Sequence, residues 1–218
     1  YGRRRNLNLS FFSHPAISGR AYVPEYRTID KELLKTARNI AINRGTLASY
    51  LSQWTENSFI NMYNYLKSPS VECLRDRYKN CTALVCGAGP SLEGALPYIK
   101  ENREKLVIFA AGTALKPLKK AGITADFAVA VDSSPKTLPQ FAELDVKGSI
   151  LLAHGQIIPA LPEIYAGANI FFSASILPGF ERWLATAIPP APRIRVAGTV
   201  LSSVIELAAF SGVSKMIL

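Results

Sequence analysis

The sequence predicts an α/β protein, a Rossmann-like, mostly parallel sheet with flanking helices, preceded by a helical N-terminal segment. Three observations carry this. From Thr82 onward, short apolar runs alternate with helical stretches. The runs are apolar throughout rather than at every second residue, as strands buried on both faces are. Several runs end in a glycine or a small polar residue that can open the next helix, the pattern of repeated β–α units.

The predicted strands are 83–86, 106–111, 127–131, 150–153, 169–172, 194–196 and 216–218, with helices near 91–103, 113–121, 135–143, 159–165, 179–187 and 199–211. Residues 1–30 read as an arm or linker and 31–80 as the helical N-terminal segment. Residues 81–218 read as a Rossmann-like nucleotide-binding domain, truncated at its C-terminal end because the chain stops inside an apolar stretch. In the N-terminal segment Asp30 can cap a helix carrying Leu33, Leu34, Ala37, Ile40 and Ala41 at helical spacing. A second helix, about 46–66, places Leu47, Tyr50, Leu51, Trp54, Phe59 and Tyr63 on one stripe, and Ser68-Pro69-Ser70 breaks it.

Of the 218 residues 49% are hydrophobic and 19% charged, too apolar a composition for a disordered chain. No apolar run reaches the ~18 residues of a membrane span, and no signal-peptide pattern opens the sequence. Three cysteines, Cys73, Cys81 and Cys86, are too few for a secreted disulfide scaffold, and their spacing matches no common zinc pattern. The expected setting is reducing and cytoplasmic. Net charge is +9, and residues 1–80 hold 13 Lys/Arg against 6 Asp/Glu. Such a basic segment suits nucleic acid, anionic lipid or an acidic partner, or is a solvated surface, and no nucleic-acid-binding signature accompanies it.

The chemistry concentrates at predicted strand ends. In Leu84-Val-Cys-Gly-Ala-Gly-Pro-Ser-Leu-Glu93 a buried strand runs into Gly87-Ala88-Gly89, and Pro90-Ser91 opens a helix. Two glycines let backbone approach a ligand, the helix N-terminus offers N–H groups to a phosphate, and Ser91 adds a hydroxyl. The plainer reading is a tight β–α turn. The pattern is neither the dinucleotide fingerprint, since Leu92 stands where a third small residue belongs, nor a P-loop. Gly112-Thr113 repeats the strand-to-helix arrangement, with Thr113 as helix cap, and Gly198-Thr199 repeats it again. Asp132 ends a strand and can face ligand or cap the Ser133-Ser134-Pro135 turn. His154 ends another and has the chemistry of a general base. In open α/β sheets ligands bind beyond the carboxyl ends of the strands, which is where these residues gather.

Gly87-Ala-Gly-Pro-Ser-Leu92, Ala111-Gly-Thr-Ala-Leu115, Gly122-Ile-Thr-Ala-Asp-Phe127, Val131-Asp132 and Ala197-Gly-Thr-Val200 together resemble the motility accessory factor (Maf) proteins. These are flagellin glycosyltransferases that share a domain with 6-hydroxymethylpterin diphosphokinase (MptE)-like proteins. The resemblance covers roughly residues 55–218; Ala125 departs from the family's usual proline before Asp126. It implies transfer of a CMP-activated nonulosonic acid, pseudaminic or legionaminic acid, to Ser/Thr of flagellin, with no cofactor or metal required. Gly87, Ala88, Gly89, Pro90, Ser91, Thr113, Gly198 and Thr199 would hold the donor; the acceptor hydroxyl needs a base, for which Asp132 ranks ahead of His154 without an assignment. An alternative is ATP-dependent diphosphate transfer to a hydroxymethylpterin, which needs Mg²⁺ and has Asp126 and Asp132 as candidate ligands. A third reading is a non-catalytic flagellin- or chaperone-binding module. Oligomeric state is not legible at this level.

Overall fold

The computed structural model describes residues 14, 15, 17–142, 144, 147–165, 167–173, 177–187, 194 and 199–218. In chain order these form α1 (Val23–Ile60), α2 (Met62–Lys67), β1 (Thr82–Cys86), α3 (Pro90–Glu101), β2 (Leu106–Ala111), α4 (Gly112–Lys120), β3 (Phe127–Ala130) and α5 (Leu138–Phe141). They continue with β4 (Ile150–His154), α6 (Leu161–Tyr165), β5 (Ala168–Ser173), α7 (Pro178–Leu184), α8 (Val200–Phe210) and β6 (Lys215–Ile217). The chain divides into two compact units, Tyr1–Tyr50 and Leu51–Leu218.

In the first unit α1 already runs from Val23, so Asp30 lies inside the helix and does not cap it. Pro24 sits in the first turn, where a missing N–H is harmless. Gly45 does not interrupt the helix either. A single interior glycine costs about 1 kcal/mol, which good helix formers on both sides outweigh. The expected break at Ser68-Pro69 does occur, since α2 ends at Lys67.

The second unit is built on one six-stranded sheet in the order β5-β4-β3-β2-β1-β6, with every neighbouring pair parallel. Strand alternation divides the core in two. Leu84, Cys86, Ile108, Ala110, Ala128, Ala130, Leu151 and Ala153 face α3, α4, α5 and α6. Ala83, Val85, Phe109, Phe127, Val129 and Leu152 face α8 and the 3₁₀ turn Val71–Leu74. The first face is rich in alanine, and small side chains let helices lie close to a sheet. The second carries bulk: the Phe109 and Phe127 rings stack 4.6 Å apart, and Tyr78 meets Phe127 edge-on. After β5 the chain returns through α8 on the opposite face to place β6 beside β1. The direction of winding therefore reverses at β1, the position where an open sheet leaves a crevice.

In the second unit strand and helix positions match expectation to within one or two residues, with three differences, the first being that the helix expected over 179–187 ends at Leu184. The helix expected over 135–143 is a 3₁₀ turn, Pro135–Thr137, followed by the single turn of α5. Of the strand expected at 194–196 only Ile194 lies within the described residues, where it is buried against the α8-side core. Gly122 follows α4 with φ +71°, the left-handed stop expected of it.

Candidate functional site

β1 delivers the chain to Gly87-Ala88-Gly89, and α3 begins at Pro90. Gly89 is the N-cap in an extended conformation, and no side chain caps the helix. The N–H groups of an uncapped first turn point along the axis, out of the helix, with the positive end of its dipole. Ala88, Gly89, Pro90 and Ser91 are exposed. A side chain at Gly89 would meet only Ser91 Oγ, at 3.6 Å, and neither Gly87 nor Gly89 has positive φ. The fold itself therefore does not demand glycine at 89; open backbone there serves whatever approaches from outside. A Cβ on Gly87 would lie 3.4 Å from a Leu201 methyl, so the first turn of α8 leans over the same loop.

The neighbouring strand ends complete a rim. The register pairs Cys86 with Ala110 and Ala111 with Val129, so the ends of β1, β2 and β3 lie side by side. Strands about 4.8 Å apart put Gly89, Thr113 and Asp132 along roughly 10 Å of that rim. Thr113 is exposed but is not the cap expected of it. α4 starts one residue earlier, with Ala111 at the cap position. The cause is packing: a Cβ on Gly112 would sit 2.6 Å from the buried Phe141 ring, so only glycine lets the helix begin there against α5. Asp132 is exposed, and its Oδ1 accepts the Ser134 N–H at 2.9 Å, the turn-capping role. Thr199 caps α8 by accepting the Ser202 N–H at 3.3 Å. Gly198 lies outside the described residues.

His154 is placed differently. It is 1% exposed, its ring stands edge-on to Phe172, and Nδ1 accepts the Gln156 N–H at 3.3 Å. Burial pushes its pKa down to about 3, so the imidazole is neutral and shut away from the rim. Cys86 is likewise sealed, its thiol pushed up to about 12 by burial. Asp126 stands at the start of β3, the opposite end from Asp132. Its Oδ1 pairs with Arg103 at 2.7 Å, and its Oδ2 accepts the Ile108 N–H at 2.7 Å. Asp126 and Asp132 thus stand at opposite ends of one strand and do not fit a shared Mg²⁺ site, which corrects that expectation. Among the described residues no group of three or more His, Cys, Asp or Glu side chains could hold a metal ion.

The second half of the rim is closed by residues that the apolar stripe did not single out. Asn57 and Asn61 are buried although Phe59 and Tyr63 remain exposed. Asn57 Nδ2 donates to Gln156 O at 2.9 Å, and Asn61 Nδ2 donates to both Gly155 O (2.9 Å) and Ile157 O (2.8 Å). Trp54 Nε1 donates to Ser133 Oγ, Gln53 Nε2 to Ser133 O and Gln156 Nε2 to Val131 O. The carbonyls after β3 and β4 have left the sheet ladder and need donors, and amide side chains supply them. The pair Asn57/Asn61, one turn apart on one helix face, was the available signal. Replacing Asn61 with alanine leaves two buried carbonyls unpaired. It is expected to cost about 2–4 kcal/mol in urea unfolding; a loss under about 0.5 kcal/mol would count against this docking.

The profile of the family described as 6-hydroxymethylpterin diphosphokinase MptE-like matches residues 56–218, three quarters of the chain. The chain belongs to the MptE-like family. The MptE-like match spans every strand of the sheet and the whole rim from Gly87 to Thr199. An uncharacterised protein of Treponema pallidum (strain Nichols) is 26% identical over 125 residues, 56% of this MptE-like chain and 58% of that protein. The alignment therefore spans little more than half of the relative's length. Among solved structures, a Maf glycosyltransferase from Magnetospirillum magneticum AMB-1 superposes with a TM-score of 0.54 at 17% identity, covering 67% of this chain and 25% of that one. At that identity the likeness is one of fold. No helix among the described residues is long and apolar enough to cross a membrane.

Proposed function

We propose that the chain carries the donor-binding unit of a glycosyltransferase that moves a nonulosonic acid, pseudaminic or legionaminic acid, from a CMP-activated donor to serine or threonine of flagellin. The observation that carries this reading is the open Gly87–Ser91 loop at the position where the sheet's winding reverses. An uncapped helix N-terminus, unobstructed glycine backbone and one hydroxyl suit a phosphate. The fold shared with the Magnetospirillum glycosyltransferase supports a transferase, and membership of the MptE-like family supports a phosphorylated ligand. This chain covers a quarter of the former protein's length, so the complete reaction is part of the proposal.

In that chemistry the acceptor oxygen bonds to the anomeric carbon as the bond from that carbon to the phosphate oxygen breaks. CMP leaves with the electron pair, and the acceptor's proton passes to a base. The α3 N-terminus stabilises charge growing on the departing phosphate. In this reading Asp132, exposed at the end of β3, takes the proton, and its Oδ1 contact with the Ser134 N–H fixes the carboxylate in the turn. The neutral, enclosed His154 is not used.

The test is calorimetric titration with CMP in the absence of metal, then with Mg-ATP. CMP binding without metal is expected. Gly89→Val is expected to weaken it at least about tenfold, because the new side chain fills the approach to the helix N-terminus, and Ser91→Ala about fivefold, for one hydrogen bond to a charged ligand. Both variants should fold normally, given the open space around each. Normal CMP binding by both sinks the loop assignment. A second reading, diphosphate transfer from ATP to a hydroxymethylpterin, is favoured by the family's own description, and preference for Mg-ATP over CMP brings it forward.

A further inference from the structure

The N-terminal unit presents a feature that the donor site leaves unexplained. Through residues 23–50, α1 exposes large apolar side chains to solvent, among them Leu33 at 43% and Ile40 at 45%. They are not scattered. Leu33, Ile40 and Leu47, with the half-buried Tyr26 ahead of them, recur every seven residues, and Ile29, Thr36, Asn43 and Tyr50 recur every seven residues three positions after Tyr26. These are the a and d positions of a heptad repeat held for about four heptads, the pattern by which one helix packs along another. Leu34 and Ile42 lie off this seam.

We infer that the seam pairs with the same helix of a second copy of this chain, running antiparallel. Flanking charge selects the partner and its direction. In the antiparallel register with its two-fold axis level with Arg38, Asp30 and Arg44, both flanking the seam on the same side, come within reach of each other across the two copies, twice per dimer. Among the described residues neither Asp30 nor Arg44 has an ion pair within its own chain. The same register sets each a residue against a d residue: Leu33 on Asn43, Ile40 on Thr36, Leu47 on Ile29 and Tyr26 on Tyr50. Every layer keeps at least one large apolar side chain, whereas a parallel pairing stacks Thr36 on Thr36 and Asn43 on Asn43. Parallel pairing would also put Glu25 beside Asp30 of the other copy, like charge on like.

Sedimentation equilibrium of the full chain tests this independently of which reaction the chain performs, with circular dichroism as the check on folding. A dimer is expected. Leu33→Asp together with Ile40→Asp should raise the dissociation constant roughly a hundredfold or more, since two buried apolar side chains per helix are lost. Leu34→Asp and Ile42→Asp, off the seam, should leave it unchanged. Arg44→Asp should weaken the dimer, and adding Asp30→Arg to it should restore association by exchanging the charges. A chain that stays monomeric at all concentrations, its seam taken by residues 1–13 or by another protein's helix, overturns the inference. So does a dimer indifferent to the seam substitutions, or one that the charge exchange fails to rescue.

Discussion

Between pH 6.5 and 3 the folded chain is expected to lose stability at up to about 1.4 kcal/mol per pH unit through His154 alone. Unfolded, the imidazole titrates near 6.5; folded, burial holds it neutral down to about 3. As pH falls below 6.5 the unfolded state takes up a proton that the native state refuses, so the equilibrium shifts towards unfolding. The contribution is fully present above 6.5 and is gone below 3, a swing on the order of 5 kcal/mol at most. That is a large part of a typical domain's 5–15 kcal/mol. His154→Asn isolates it. Its amide oxygen can accept the Gln156 N–H in place of Nδ1, and it does not titrate. The variant should be less stable at pH 8, having lost the ring against Phe172, yet its urea stability should fall less steeply below 6.5. Carboxylates act equally on both proteins and cancel in the difference. Parallel pH profiles for the two would show that His154 is not the sensor.

The second large effect is expected at Gly212. It follows α8 with φ +80°, and a Cβ there would lie 2.7 Å from the Asp76 Cα, a backbone atom that cannot swing aside. The turn it would strike is itself confined, with Asp76 and Asn80 both at positive φ. That turn is tied to the helix end by Asp76 N–H to Phe210 O (3.3 Å) and Tyr78 N–H to Ser211 O (2.9 Å). Gly212→Ala combines left-handed strain of about 1–2 kcal/mol with displacement of these bonds at about 1 kcal/mol each. A loss of about 3–4 kcal/mol is expected in urea or thermal unfolding. Gly122→Ala is the control: its φ is +71° but nothing lies within 4 Å, so only the strain should appear. Equal losses at the two positions would show that the contact with Asp76 carries no weight.

The sheet was legible because its strands are short, apolar on both faces and separated by Gly, Pro and cap residues, signals that are local in sequence. So was the glycine loop before α3, where one decapeptide holds strand, turn and helix start. The covering of the β3 and β4 ends was not legible. Periodicity looks for apolar stripes, and the face of α1 that docks there is polar, because what it meets is a row of carbonyls. Thr113 and Asp126 differ from expectation for another reason, partners distant in sequence. The helix start at Gly112 depends on Phe141, twenty-nine positions away, and Asp126 is held by Arg103, twenty-three away. Asp30 looked like a cap because its type is right, but upstream residues continue the helix past it.

The amide clasp that Asn57 of α1 and Asn61 just after it make with the β4 turn joins groups 94 to 99 positions apart in the chain. Its acceptors do not exist as a spaced set until β4 has paired and turned at Gly155. The helix end therefore has nothing to grip early in folding, and closing so long a loop yields its return only at the last stage. Opening runs the other way: the helix end can let go without disturbing a single strand pair. The molecule thus has a natural order of release, in which the carboxyl rim is uncovered first and the sheet beneath it is the last part to open.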